Sequence, residues 1–125
     1  MITITNSVHA WNLLAGKHNP DQEEFFVLAL NSAKKVLGCE MIFRGTVDKT
    51  LIHPRDIFRY ALLKNSASMI IAHNHPSGEM LPSKEDIKMT TRLLKCAETL
   101  QLPINDHIIF TDKEYYSFAD EGMLR

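Results

Sequence analysis

Two short, almost wholly apolar runs constrain the fold of this chain more than any other feature. Residues 23–30 read EEFFVLAL and residues 68–75 read SMIIAHNH, and polar residues bound both runs. Short apolar runs with such boundaries are typical of strands that are buried on both faces. They therefore predict a sheet with covered faces.

Three other segments extend this sheet. Residues 36–46 predict a second strand that pairs with the first as a hairpin, because a short turn-forming stretch separates the two. Residues 103–111 predict a further strand, and EYYSFAD (114–120) predicts a short last element. Because these segments alternate with helical patterns, we expect an α/β fold with a mixed sheet and flanking helices.

Three segments with helical periodicity lie between the strands. The first begins at Ser7, a residue type that caps helices, and stops at Gly16. The second covers 53–67 with Pro54 at its first position, and the third runs from Ser83 to about Leu100. The residues expected on the core-facing stripes are Val8, Trp11 and Leu14, then Ile57, Phe58, Ala61 and Leu62, then Ile87, Thr91, Leu94 and Ala97.

Composition narrows the class of protein. A chain of 125 residues with 45% hydrophobic residues is expected to form a single domain over 1–125. A net charge of −1 disfavours nonspecific nucleic-acid binding. Cys39 and Cys96 are far apart, so we expect thiols in a reducing compartment. Without a signal peptide or a long apolar stretch, a soluble cytoplasmic protein is expected, with no membrane contact and an oligomeric state left open.

The second apolar run ends in two histidines that one residue separates. Because side chains alternate along a strand, His73 and His75 project to the same side. Asp86 follows in the first turn of the third predicted helix, and the intervening residues can fold it back over the strand end. Two imidazoles and a carboxylate suit zinc, and three protein ligands leave its fourth position for water. The spacing therefore indicates a metal site of the catalytic kind.

Structural interpretations of the same residues stay open. Ser83 and Asp86 have the spacing of a capping box, which explains both without a metal. His107, at the start of an apolar strand, is interpreted as a core histidine bonded to a neighbour rather than as a fourth ligand. The consecutive letters HNH are not the nuclease motif of that name. A zinc deaminase would need the patterns HxE and PCxxC, and neither occurs.

Several stretches together resemble a known family. HNHPSG followed by PSKED is similar to the metal motif of the JAMM or MPN-plus metalloproteases, which reads HxH, ten residues, D, with a serine three positions before the aspartate. From about Ser7 to the C-terminus, the chain resembles the bacterial RadC family. The stretches that carry this resemblance are, in order, EEFFVLALN, HPRDIF, AHNHPSG and DHIIF. The resemblance implies an MPN/JAB-like fold, a sandwich similar to that of the deaminases.

The resemblance also implies roles for individual residues. His73, His75 and Asp86 match the zinc ligands, and Ser83 matches the serine that helps to hold the tetrahedral intermediate. The implied activity is hydrolysis of a peptide or isopeptide bond of an unknown protein or peptide substrate.

The general base is the least determined of these roles. Glu24 matches the glutamate that activates the zinc-bound water. Strand alternation groups Glu24 with one apolar face of the run and Glu23 with the other, so periodicity does not choose between them. The choice of Glu24 is therefore an expectation from the resemblance alone.

A second function is compatible with the resemblance. The family is associated with DNA repair, so the domain could be a nucleic-acid or protein-binding module with a structural metal. Family members usually carry a helix-hairpin-helix region before this domain. Since about 23 residues precede Glu24, we expect that region to be absent here, which weakens the DNA-binding alternative.

Overall fold

In the part of the chain that the structure describes, one mixed five-stranded sheet with three helices forms the architecture. The computed structural model describes residues 1–45 and 52–124. In chain order the elements are α1 (Ser7–Leu14), β1 (Glu23–Leu30), β2 (Val36–Gly45), α2 (Pro54–Leu63), β3 (Ser68–Asn74), α3 (Lys84–Leu100), β4 (Ile104–Phe110) and β5 (Tyr115–Ser117). The predicted α/β class with a mixed sheet is confirmed.

The strands lie in the order β2-β1-β3-β4-β5. β1 pairs antiparallel with both β2 and β3, β3 pairs parallel with β4, and β4 pairs antiparallel with β5. The predicted hairpin of β1 and β2 is confirmed up to Gly45, and its last predicted residue, Thr46, lies outside the described residues. β1 and β3 are thus interior strands of the sheet.

Apolar side chains cover both faces of the sheet, as the apolar runs predicted. All eight positions of β1 and all seven of β3 are buried. On one face, Phe25 and Ile71 pack with residues of α2 and α3, and on the other face Phe26 and Ile70 pack with residues of α1. Helices on both sides explain why neither strand alternates between apolar and polar residues.

The N-cap of helix α1 lies one residue earlier than predicted. Asn6, not Ser7, is the N-cap, and its side-chain oxygen accepts a hydrogen bond from the backbone N–H of His9. Ser7 is instead buried within the first turn, where its hydroxyl contacts the hydroxyl of Tyr115 at 2.8 Å. Asn and Ser are equally good caps, so the sequence alone favoured the wrong one of two neighbours.

The buried faces of the other helices differ in detail from the predicted stripes. In α2, Leu62 is 52% exposed, whereas Ile57, Phe58 and Ala61 are buried as expected. In α3 only Ala97 of the predicted stripe is buried, and Ile87 is 39% exposed. The residues of α3 that face the sheet are Asp86, Met89, Thr90, Leu93 and Ala97. Two of these are polar, and apolar periodicity does not detect polar positions that face inward.

None of the helices within 1–45 and 52–124 is long and apolar enough to cross a membrane.

Candidate metal centre

The two predicted imidazoles lie at the end of β3, on the face that α3 covers. In the antiparallel pairing of β1 and β3, Phe25 lies opposite His73, so the two side chains share a face. Two positions earlier in β1, Glu23 projects to that same face. The register therefore brings a carboxylate of β1 to the histidines of the neighbouring strand.

Three side chains form a small triangle here, with one imidazole nitrogen at each of two corners and both carboxylate oxygens of Asp86 at the third. The Nε2 atoms of His73 and His75 are 3.0 Å apart. Oδ1 of Asp86 lies 3.2 Å from Nε2 of His73, and Oδ2 lies 3.2 Å from Nε2 of His75. The structure thus brings together all three residues that the sequence predicted as ligands. Glu23 also lies nearby, with its Oε1 3.9 Å from Nε2 of His73.

A backbone contact fixes which nitrogen of His75 faces the triangle. Nδ1 of His75 is 2.7 Å from the carbonyl oxygen of Glu79, and a carbonyl only accepts, so Nδ1 carries the proton. Nε2 of a neutral ring then has its lone pair directed into the site. The turn that returns the chain to this carbonyl contains Gly78 at φ +84, a conformation that glycine adopts without strain.

The size of the triangle fits a small divalent cation. Four ligands at about 2.0 Å from a tetrahedral ion lie about 3.3 Å from one another. The observed separations of 3.0, 3.2 and 3.2 Å are close to that value. The group formed by Glu23, His73 and His75 also offers ligand atoms that all lie within 4.8 Å of each other. These residues could therefore hold a metal ion, and their chemistry as nitrogen and oxygen donors suits zinc.

Asp86 is both the third corner of the triangle and part of a helix cap. The backbone N–H of Ser83 donates to Oδ2 of Asp86 at 2.9 Å, and the backbone N–H of Asp86 donates to Oγ of Ser83 at 3.1 Å. The capping box and the metal-ligand interpretation are thus compatible in one residue. Full burial alone would raise the pKa of Asp86, but the adjacent imidazoles of His73 and His75, together with the backbone N–H of Ser83, hold that pKa well below its usual range. The carboxylate is therefore ionised at neutral pH.

Glu24, which the resemblance offered as the general base, lies on the opposite face of the sheet from the imidazoles. Its Oε1 accepts from the backbone N–H of Asn19 at 2.7 Å, and its Oε2 accepts from Arg44 at 2.7 Å. The backbone N–H of Glu24 donates to Asn74, the residue that separates the two histidines and points away from them. Strand alternation is the physical reason, because only every second residue of β1 reaches the face of His73. Glu23 is the glutamate beside the candidate metal centre.

His107 is a buried neighbour of the site, as predicted, rather than a corner of the triangle. Its ring is fully buried, and its Nε2 lies 2.9 Å from Nδ1 of His73. Its Nδ1 lies 2.6 Å from the hydroxyl of Thr90. The sequence analysis gave Thr90 no role. The signal that could have found it is spacing, since Thr90 is four residues after Asp86 and shares its helix face.

A groove of about 760 Å³ opens beside the triangle. Glu23 and His75 line it on one side, and Ser83 lines it at the start of α3. Leu81, which is 64% exposed, and Pro82 supply apolar surface. A volume of this size is within the range of ligand-binding clefts. The candidate metal centre therefore borders this groove at Glu23 and His75.

Comparison with known proteins agrees with this arrangement. The RadC-like JAB domain family matches residues 4–123. The chain belongs to this family. The UPF0758 protein SH1266 of Staphylococcus haemolyticus is 43% identical over 122 residues, which are 97% of this chain and 54% of that protein. The UPF0758 protein YeeS of Escherichia coli is 38% identical over 122 residues, which are 98% of this chain and 82% of that protein.

Other members of the family differ from this chain in length. A UPF0758 protein of Clostridium beijerinckii is 40% identical over 124 residues, and the match covers 54% of its length. The chain thus spans about half the length of several curated relatives that it matches.

Proposed function

We propose that this chain is a zinc-dependent hydrolase that cleaves a peptide or isopeptide bond. The observation that carries the proposal is the triangle of two imidazole nitrogens and a carboxylate, with separations of 3.0 to 3.2 Å, beside a second carboxylate at the edge of a groove. His73, His75 and Asp86 hold the ion in this proposal. The membership in the RadC-like JAB domain family supports it, and the geometry supplies the assignment of individual residues.

The donor set favours zinc over harder cations. Imidazole nitrogen suits zinc, whereas magnesium and calcium prefer sites built from oxygen ligands alone. A zinc ion held by three protein ligands supplies Lewis acidity and lowers the pKa of a water at its fourth position to about 7.

Glu23 is the general base in this proposal. Its Oε1 is 3.9 Å from Nε2 of His73, which is longer than the separation of about 3.3 Å between neighbouring ligands of a tetrahedral ion. Glu23 therefore lies next to the proposed ligands and also lines the groove. There it takes a proton from the attacking water and transfers it to the nitrogen of the leaving amine.

Ser83 has a second proposed role at the same edge. Its Oγ accepts the hydrogen bond from the backbone N–H of Asp86, and a hydroxyl that accepts one bond still carries a proton to donate. Since Ser83 lines the groove with His75, we assign this proton to the carbonyl oxygen of the bond that is cleaved. One hydroxyl thus serves as helix cap and as donor.

The charge of the groove favours a peptide substrate over a nucleic acid. The lining includes four carboxylate residues and, within the described part of the chain, no lysine or arginine; the four are Asp21, Glu23, Glu79 and Glu85. Phosphate groups would be repelled by such a lining, because nucleic-acid binding depends on neutralisation by basic side chains. The net charge of −1 agrees with this preference.

The proposal is tested by zinc analysis and peptide cleavage in the same preparations. The purified protein is stripped with a chelator, reloaded with zinc chloride and analysed by mass spectrometry of metals. Cleavage is then followed with a mixture of synthetic internally quenched peptides. We expect about one zinc per chain and measurable cleavage. Glu23→Gln should keep the zinc and lose activity by about 10²–10⁴-fold, the usual contribution of a general base.

Glu24→Gln is the matched control, since the two glutamates are neighbours in one strand. It should keep both zinc and cleavage, within about threefold, at a temperature where the variant is folded. Retained activity in Glu23→Gln would refute the assigned base. Absence of tight zinc binding by the unmodified chain would refute the metal centre. Salt-dependent binding of duplex DNA without peptide cleavage would favour the alternative, a DNA-repair-associated module with a structural metal.

A further inference from the structure

A chain of buried hydrogen bonds runs from His73 to the backbone of α3. Nδ1 of His73 lies 2.9 Å from Nε2 of His107, and Nδ1 of His107 lies 2.6 Å from Oγ1 of Thr90. Oγ1 of Thr90 lies 2.8 Å from the carbonyl oxygen of Asp86. The chain thus begins at one predicted metal ligand and ends at the backbone of another.

The proton positions in this chain follow from its last member. A carbonyl oxygen only accepts hydrogen bonds, so the single hydroxyl proton of Thr90 is donated to Asp86. The oxygen of Thr90 must then accept from His107, which places a proton on Nδ1 of His107.

The surroundings of His107 determine its other nitrogen. The ring is fully buried and stacks on Phe118, with ring centroids 4.5 Å apart and an interplanar angle of 14°. A charged imidazolium loses its hydration in such surroundings, so the neutral ring is favoured. With its proton on Nδ1, a neutral His107 has a lone pair on Nε2. That lone pair accepts from Nδ1–H of His73.

We infer that Thr90 and His107 are positioning residues that, when an ion is bound, hold His73 in the tautomer with its proton on Nδ1, so that Nε2 presents a lone pair to the ion. His75 reaches the same state by a different route, because its Nδ1 donates directly to the carbonyl of Glu79. Ligating histidines generally need such an acceptor on their second nitrogen. At His73 the acceptor is a second imidazole, whose own tautomer Thr90 determines.

The inference rests on the metal-binding part of the proposed function and not on hydrolysis. Replacing Thr90 by valine removes the acceptor for Nδ1–H of His107. His107 can then satisfy its proton only by moving it to Nε2, which forces the proton of His73 onto Nε2, towards the metal centre. Loss of a partner of this kind typically lowers metal affinity about 10–100-fold.

Neighbouring residues supply matched controls. Thr91 makes the same bond to the carbonyl four residues earlier, to Ile87 at 3.0 Å, but on the exposed side of the helix. Zinc affinity, measured by competition with a chromogenic chelator, should fall about 10–100-fold in Thr90→Val. It should change by less than about threefold in Thr91→Val, and Thr90→Ser, which keeps the hydroxyl, should restore most of the affinity. Equal affinities in Thr90→Val and Thr91→Val would overturn the inference.

Nitrogen NMR of the imidazoles reads the tautomer directly and without activity. In zinc-loaded wild-type protein at pH 8, the spectrum should show the proton of His107 on Nδ1 and an unprotonated Nε2 that accepts from Nδ1–H of His73. A wild-type spectrum with a proton on Nε2 of His107 would overturn the inference even if Thr90→Val fails to fold. Because this spectrum follows protons and not cleavage, the inference is tested separately from hydrolysis.

Discussion

The contrast between Glu23 and Glu24 gives the sharpest test of the structure. The side chain of Glu24 is only 1% exposed. Its Oε2 lies 2.7 Å from both Nε and Nη2 of Arg44. Glutamine at this position keeps an oxygen for the N–H of Asn19 but turns an amide donor towards Arg44. A hydrogen bond to a charged group contributes about 1.5–3 kcal/mol. Two such contacts are weakened, but Arg44 is 49% exposed and recovers water, so we expect Glu24→Gln to lower the free energy of unfolding by about 2–3 kcal/mol, which is less than the sum of the two.

The assay is thermal and urea unfolding followed by circular dichroism, with a chelator present so that metal binding does not contribute. For a chain of this length, 1 kcal/mol corresponds to about 4 °C in Tm, so Glu24→Gln should melt about 8–12 °C lower. Glu23→Gln should change the free energy of unfolding by less than about 1 kcal/mol. Arg44→Gln and the double variant complete a cycle that isolates the coupling between Glu24 and Arg44. Similar losses in the two glutamate variants would refute the placement of the two side chains on opposite faces.

Two further predictions concern residues away from the centre. Gln101 ends α3 in the left-handed region at φ 53, so Gln101→Gly should raise the free energy of unfolding by about 0.5–1 kcal/mol, and an unchanged Tm would contradict this. Burial raises the pKa of Asp106 despite hydrogen bonds from Ser117 and from two backbone N–H groups. A raised pKa means that the folded state binds the proton of Asp106 more tightly than the unfolded state does. The contribution of the protonated Asp106 to stability is therefore lost as pH rises through its folded-state pKa. Asp106→Asn, which does not titrate, should therefore gain stability relative to wild type as pH rises above about 4, the ordinary pKa of an aspartate, in urea unfolding, and a constant difference would exclude the raised pKa.

The sheet was predictable because its signal is local. Continuous apolar runs bounded by polar residues are sufficient to identify β1 and β3, and the structure confirms both within one residue of their predicted ends. The ligand triangle could also be predicted from the sequence, since strand alternation places His73 and His75 on one side and the capping-box spacing places Asp86 in the first turn of the helix.

The assignment of the glutamate needed information that is not local. Both faces of β1 are apolar, so the sequence does not reveal which face meets His73. That choice depends on the register between β1 and β3, where Phe25 lies opposite His73. A shift of one residue in this register would exchange Glu23 and Glu24.

The buried face of α3 was mispredicted for a related reason. The expected stripe included Ile87 and Leu94, because apolar residues usually mark the inner face of a helix. The observed inner face includes Asp86 and Thr90 instead. Their hydrogen bonds compensate for burial, and such pairing depends on neighbours from other elements, which periodicity does not include.

The shared use of Asp86 links chemistry to the order of a whole helix. Its carboxylate closes the first turn of the seventeen-residue α3 and also forms one corner of the triangle. If the proposed cation leaves that corner, the two imidazoles and the carboxylate of Asp86 must rearrange at the first turn of α3. Amide hydrogen exchange in the opening turn of α3 would consequently report how much of the protein is loaded, so occupancy could be followed in a cell extract without a substrate.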